Sequence, residues 1–222
     1  MAKSNKSEKS QTDWPSCQLM LVIQPGPGAR ERLQAAFEQA TVAAVLIRPK
    51  AGDRLGAGEV KPLVDLAQDQ GAAAILYDDA DLAKTLRADG VHVPAGLNVR
   101  EHVEAARAIL GPDASIGVDA GGSRHAAMEA GEAGAEYVAF GLAEASEEAR
   151  TDRDTLVAWW ADIFEVPCVA LDIATADEVA AADRNGADFA GLVISLTQPV
   201  DAIMTLAGEA DMRLIQGTAT GT

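Results

Sequence analysis

The chain has 222 residues and a formal net charge of −16, with 48% hydrophobic but only 4% aromatic residues. That length fits one domain near the lower size limit of a complete (β/α)8 barrel, and the acidity argues against nucleic acid, which is bound through clustered Lys and Arg. Two cysteines, Cys17 and Cys168, give neither a disulfide framework nor metal-ligand spacing, and no apolar run is long enough to cross a bilayer.

Residues 1–16 are polar, carry Lys3, Lys6 and Lys9, and lack an apolar core segment, so they read as a flexible tail rather than a signal peptide. A cytoplasmic protein is the expectation. The first strand falls on LMLVIQ (19–24), followed by the turn QPGPGAR, in which Gly26 and Gly28 mark a Pro-Gly turn, and by the helix RERLQAAFEQA. VAAVLIR (42–48) is the second strand and VKPLVDLAQDQ its helix; AAAILYD (72–78) is the third, leading into ADLAKTLR, whose N-cap is Asp78 or Asp79. GVHV (90–93) precedes VREHVEAARAIL, and SIGVD (115–119) is the fifth strand. EYVAFG (136–141) leads to TLVAWWADIF, where Trp159 and Trp160 read as packing residues; PCVALD (167–172) leads to DEVAAADRNG, and DFAGLVIS (188–195) is the eighth strand. Gly71, Gly134 and Gly186 each stand just before a strand, where a left-handed residue turns the chain out of a helix. A second flexible tail is expected over 216–222, leaving 17–215 as the folded domain.

Eight strands alternating with helices predict a parallel sheet, and eight is the number that closes a (β/α)8 TIM barrel; an open doubly wound sheet is the alternative. The low aromatic content suits strands buried on both faces in Ala, Val, Ile and Leu. Alternation along each strand then sorts side chains. Ser115, Gly117 and Asp119 are expected inward in strand five, with Ile116 and Val118 outward. In strand seven the same rule predicts Cys168, Ala170 and Asp172 inward, with Val169 and Leu171 outward. Arg48 and Lys50 share the inward parity of strand two, and His92 that of strand four; in strand three either Tyr77 or Asp78 is inward. Active sites of such barrels lie at the carboxyl ends of the strands. The expected polar ring comprises Gln24, Arg48, Lys50, Asp78, His92, Asp119, Asp172 and Ser195.

Four stretches in order, IRPK (47–50), YDDADLAKTLRADGVHV (77–93), IGVD with EAGAEYVAFG (116–119, 132–141) and VPCVALDIATADEVAAADRNGAD (166–188), resemble the thiamine phosphate synthase family, which includes thiazole tautomerase relatives. The resemblance implies a transferase of thiamine biosynthesis that joins hydroxymethylpyrimidine diphosphate to thiazole phosphate with Mg2+ and releases pyrophosphate. It implies Arg48 and Lys50 as the catalytic, diphosphate-contacting pair and Asp78 as a metal ligand. With the polar ring, it implies phosphorylated small-molecule substrates touching Arg48, Lys50, Tyr77, His92, Asp119, Gly141, Asp172 and Ser195. A homo-oligomer is a further candidate partner, and neither nucleic acid nor membrane is expected.

The departures share one electrostatic direction. Tyr77 replaces the family's Asn, the segment PAGLN lacks its second metal-binding Asp at about Leu97, and LAEASEEART replaces a Thr-x-Thr-Lys loop. Leu171-Asp172-Ile173 stands for a Gly-Gly-Ile phosphate turn and Asp119 for a Ser. A carboxylate about 4 Å from a phosphate costs roughly 4 kcal/mol per charge pair at an effective dielectric near 20. The resemblance therefore implies a transferase of reduced or lost activity. A thiazole tautomerase-like isomerase needs an acid/base residue where Leu142 stands. A non-catalytic barrel whose acid ring of Asp78, Asp119 and Asp172 captures a cation such as thiamine is the third reading.

Overall fold

The computed structural model of the protein describes residues 17–96 and 98–219. Its strands are β1 (Gln18–Ile23), β2 (Val42–Ile47), β3 (Ala73–Tyr77), β4 (Gly90–Val93), β5 (Ser115–Asp119), β6 (Tyr137–Phe140), β7 (Cys168–Ile173) and β8 (Phe189–Ile194). Each is followed by a helix: α1 (Ala29–Phe37), α2 (Ala57–Asp69), α3 (Ala80–Leu86), α4 (Val99–Leu110), α5 (Arg124–Glu132), α6 (Glu147–Ile163), α7 (Ala176–Arg184) and α8 (Val200–Ala219). The strands pair in parallel in sequence order, and β1 pairs with β8, which closes the barrel.

The short strands work because each carries two apolar faces. Leu19, Leu21, Val45, Ile47, Ile116, Val118 and Ala190 pack outward against the helices. Met20, Val22, Ala44, Leu46, Ile75, Tyr137, Ala139, Val169 and Leu171 fill the interior. Asp79, Ser123, Ser146 and Thr175 cap α3, α5, α6 and α7, each side chain accepting a hydrogen bond from the backbone N–H three residues on. Gly71, Gly134 and Gly186 have φ of 79°, 83° and 83°, the left-handed turn that the repeated Gly-Ala pairs predict.

Three expectations are corrected. The parity of β7 is inverted: Val169 and Leu171 face the interior, while Cys168 and Ala170 face the helices. Asp172 nevertheless reaches the mouth, because β7 carries one extra residue between Ala170 and Ile173 relative to β8, and Asp172 takes φ 58° within that bulge. The glutamates of the stretch 142–151 do not form one loop, since Glu147 and Glu148 lie in the first turn of α6, where acidic groups favour the helix dipole. Finally, α8 runs to Ala219, so residues 216–219 are helical; the tail expected over 1–16 lies outside the described residues. No helix among the described residues is long and apolar enough to cross a membrane.

Candidate active site

Arg48 follows directly on β2, with its backbone N–H bonded to the Ile23 carbonyl at 3.0 Å, so the guanidinium enters the mouth from a fixed base. Its Nη2 donates to Asp172 Oδ1 at 2.7 Å, and the two side chains are 28% and 20% exposed. The second oxygen of Asp172 accepts the Leu142 backbone N–H at 3.0 Å. The β7 bulge thus holds a carboxylate clamped between a guanidinium and a main-chain donor on the β6 side.

Asp119, at the end of β5, repeats the arrangement with backbone alone. Its Oδ1 accepts the Gly121 N–H at 2.8 Å and the Gly141 N–H at 3.1 Å. A Cβ at Gly141 would lie 2.7 Å from Asp119 Oδ2, so a side chain there would push the carboxylate aside. Burial raises the Asp119 pKa, and the two backbone bonds oppose that rise; Asp172 nearby adds to it.

Beneath these groups lies a row of rings. Tyr77, not Asp78, is the inward residue of β3 and stacks on His92 with centroids 5.7 Å apart; His92 stacks in turn on Tyr137 at 5.8 Å. His92 Nδ1 and the Tyr137 hydroxyl are 3.0 Å apart, whereas the fully buried Nε2 has no hydrogen-bond partner. Burial, with Arg48 adding, pushes the His92 pKa down to about 3, so the ring stays neutral at physiological pH. Unfolded His titrates near 6.5 and takes up a proton that the folded ring refuses, so stability falls as pH drops below about 6.5. The NMR resonances of the His92 ring are expected to stay flat from pH 8 to pH 5; a midpoint inside that range would contradict its burial as a neutral group.

Two cavities open near the carboxyl ends of the strands, one of them on Arg48. One of 140 Å3 lies between β1 and β8, lined by Gln24, Arg48, Val193, Ser195 and Thr197. Ser195 Oγ and Thr197 Oγ1 are 2.8 Å apart in its wall. The other, of 310 Å3, lies outside β3 and is lined by Arg54, Tyr77, Asp78, Asp79 and Asp81. Asp78 is exposed there at φ 52°, and Asp79 is the helix cap. No group of three His, Cys, Asp or Glu able to hold a metal is present among the described residues. Lys50 is exposed beyond β2 and lines neither cavity. Cys168 is buried, its thiol pushed up to about 12 by burial, and inert at neutral pH.

The structure thus brings Arg48, Asp172, Asp119, Gly141, Tyr77 and His92 into one mouth, sets Ser195 beside Arg48, and leaves Asp78 and Lys50 at its margin. Sequence reading misses Arg153. This α6 residue is 2% exposed and donates from Nη1 to the Leu171 carbonyl at 3.0 Å, with Asp154 and Glu178 as ionic partners. It anchors the bulge that carries Asp172. Its signal is its spacing with Leu156, Val157 and Trp160, which makes it a charged residue in the buried stripe of α6. Tyr137, also missed, shares the inward parity of Ala139 and Gly141.

The family model for thiamine monophosphate synthase matches residues 19–196. Thiamine-phosphate synthase of Erythrobacter litoralis is 39% identical over 170 residues, covering 73% of this chain and 78% of the relative. The Rhodospirillum centenum protein of the same name is 40% identical over 180 residues, covering 78% and 86%. Among solved structures, thiamine phosphate pyrophosphorylase from Pyrococcus furiosus superposes with a TM-score of 0.71 at 19% identity, covering 91% of this chain and 98% of that one; at that identity the likeness speaks to the barrel alone.

Proposed function

The chain belongs to the thiamine monophosphate synthase family, and from that membership we propose that it condenses a pyrimidine diphosphate with a thiazole and releases pyrophosphate. The observation that carries this reading is Arg48, a guanidinium fixed at the mouth beside a cavity to which Gln24, Ser195 and Thr197 contribute, in a protein of net negative charge. In the reaction the thiazole nitrogen lone pair forms a bond to the pyrimidine methylene carbon. The bond from that carbon to the diphosphate oxygen breaks, its electron pair leaves with pyrophosphate, and no proton is transferred. Negative charge grows on the leaving group and positive charge on the two rings.

Arg48 answers the first demand, because its planar fork offers paired N–H donors to phosphate oxygens. Asp119 and Asp172 answer the second: carboxylates held by backbone donors are preorganised against a developing thiazolium cation. Neutral His92 and the half-buried Tyr77 supply flat, uncharged floor beneath the rings. Asp78 is the carboxylate that would hold a Mg2+ arriving on the diphosphate, a cation commonly bound through one or two carboxylates plus substrate phosphates. That ion would supply charge neutralisation on the leaving group.

A tautomerase-like isomerase is disfavoured because Leu142 contributes a backbone N–H where that chemistry needs an acid or base. Steady pyrophosphate release is expected when the purified chain meets hydroxymethylpyrimidine diphosphate, a thiazole acceptor and Mg2+. Tight binding of thiamine with no pyrophosphate release from any thiazole acceptor would replace the transferase with a cation-binding barrel.

A further inference from the structure

We propose that Asp172, with Asp119 beside it, makes the mouth select a thiazole acceptor whose side arm ends in a neutral hydroxyl rather than in a phosphate ester. The proposal rests on the transferase reading and concerns the acceptor half of the same site. Three main-chain donors line the arc from β5 to β7: the N–H groups of Gly121, Gly141 and Leu142. All three already donate to carboxylate oxygens of this chain, the first two to Asp119 and the third to Asp172. Arg48 donates to Asp172 as well. The carboxylates sit where an incoming anion would need those donors.

Asp172 is also held in place. It lies on the β7 bulge, at φ 58°, next to a Leu171 carbonyl that the buried Arg153 grips at 3.0 Å. A phosphate on the acceptor would have to displace that carboxylate or accept its repulsion, a penalty of on the order of tenfold or more in affinity even when partly screened. A hydroxyl meets neither obstacle, since it donates its proton to a free lone pair of Asp119 or Asp172 and brings no charge. The bond changes are those of the transferase reaction, and the acceptor's side arm takes no part in them.

The test compares kcat/KM for pyrophosphate release with thiazole alcohol and with thiazole phosphate, in the wild-type chain and in Asp172→Gly. Glycine suits φ 58°, so this variant is expected to fold, and Asp172→Asn removes the charge at nearly constant size as a second probe. The wild type is expected to favour the alcohol by about tenfold or more, and Asp172→Gly, whose turnover falls with both acceptors as a cation-stabilising carboxylate is lost, to reduce that alcohol-to-ester ratio of kcat/KM by a similar factor. A wild type that favours the ester, or a preference unchanged in both variants, overturns the proposal. Inorganic phosphate is titrated calorimetrically into the same proteins. Tighter binding by Asp172→Gly supports the proposal and equal affinity overturns it. Should neither acceptor release pyrophosphate, the transferase reading falls, while the phosphate titration still decides the role of Asp172.

Discussion

Arg48→Ala is expected to lower kcat/KM for pyrophosphate release by about 100- to 1000-fold, the usual loss when one preorganised donor to a developing anion is removed. Two effects act together. The leaving pyrophosphate loses its guanidinium, and Asp172 loses the partner that offsets its charge at 2.7 Å, so the mouth becomes more repulsive to the diphosphate. The barrel itself should survive. Both side chains are part-exposed, and Asp172 keeps the Leu142 N–H, which limits the expected destabilisation to about 1 kcal/mol. Titration of pyrophosphate into the variant, alongside a denaturant melt, separates the two quantities. Unchanged pyrophosphate affinity in a folded variant would remove Arg48 from the site. Arg48→Lys is expected to recover only part of the loss, since an ammonium offers charge without the planar fork.

Gly117→Ala is expected to cost about 2–4 kcal/mol of stability, through overpacking and a lost buried hydrogen bond. Gly117 faces the interior of β5 opposite Tyr137, and a Cβ there would lie 1.9 Å from the ring's Cζ. The ring has no room to yield within the barrel, being buried and stacked on His92. Its displacement would also break the 3.0 Å contact between the Tyr137 hydroxyl and His92, leaving both nitrogens of a buried, neutral imidazole without partners. Gly122→Ala, where nothing lies within 4 Å of the added methyl group, is the matched control and should change stability by about 0.5 kcal/mol or less. Equal denaturation midpoints for the two variants would show that Gly117 makes no room for the ring.

Much of the fold is legible from local patterns, because each strand of a parallel barrel carries its own apolar run and α3, α5, α6 and α7 each begin on a side-chain cap. GVHV and SIGVD fall on the residues that form β4 and β5, and the remaining strands shift by a residue or two at their ends. The inward positions of Arg48, His92 and Asp119 follow from simple alternation. Alternation fails at β7 for a physical reason: a bulge is a non-local event, set by how β7 pairs with β8 and by the grip of Arg153 on Leu171, and one extra residue reverses every parity argument beyond it. Two inversions then cancel, so Asp172 reaches the mouth although its strand is read the wrong way round.

The clamp on Asp172 illustrates the other limit. Replacement of a phosphate turn by Leu171-Asp172-Ile173 is visible in the sequence, and so is its sign. The partners that make the carboxylate an internal anion are not visible: they come from the residue after β2 and from the residue after Gly141, 124 and 30 positions away along the chain. Alternation alone does not choose between Tyr77 and Asp78 as the inward residue of β3; the structure decides it, because Asp78 adopts φ 52°, which turns the chain sharply at the strand end and carries the Asp side chain out of the barrel.

The measurement that bears most directly on the proposed activity is mass-spectrometric detection of the condensed thiazolium product together with released pyrophosphate. The wild-type chain is incubated with hydroxymethylpyrimidine diphosphate, Mg2+ and each thiazole acceptor in turn. One pyrophosphate per product molecule, with the product lost in Arg48→Ala, is the expected result. A folded wild-type chain that forms no condensed product with either acceptor would contradict it.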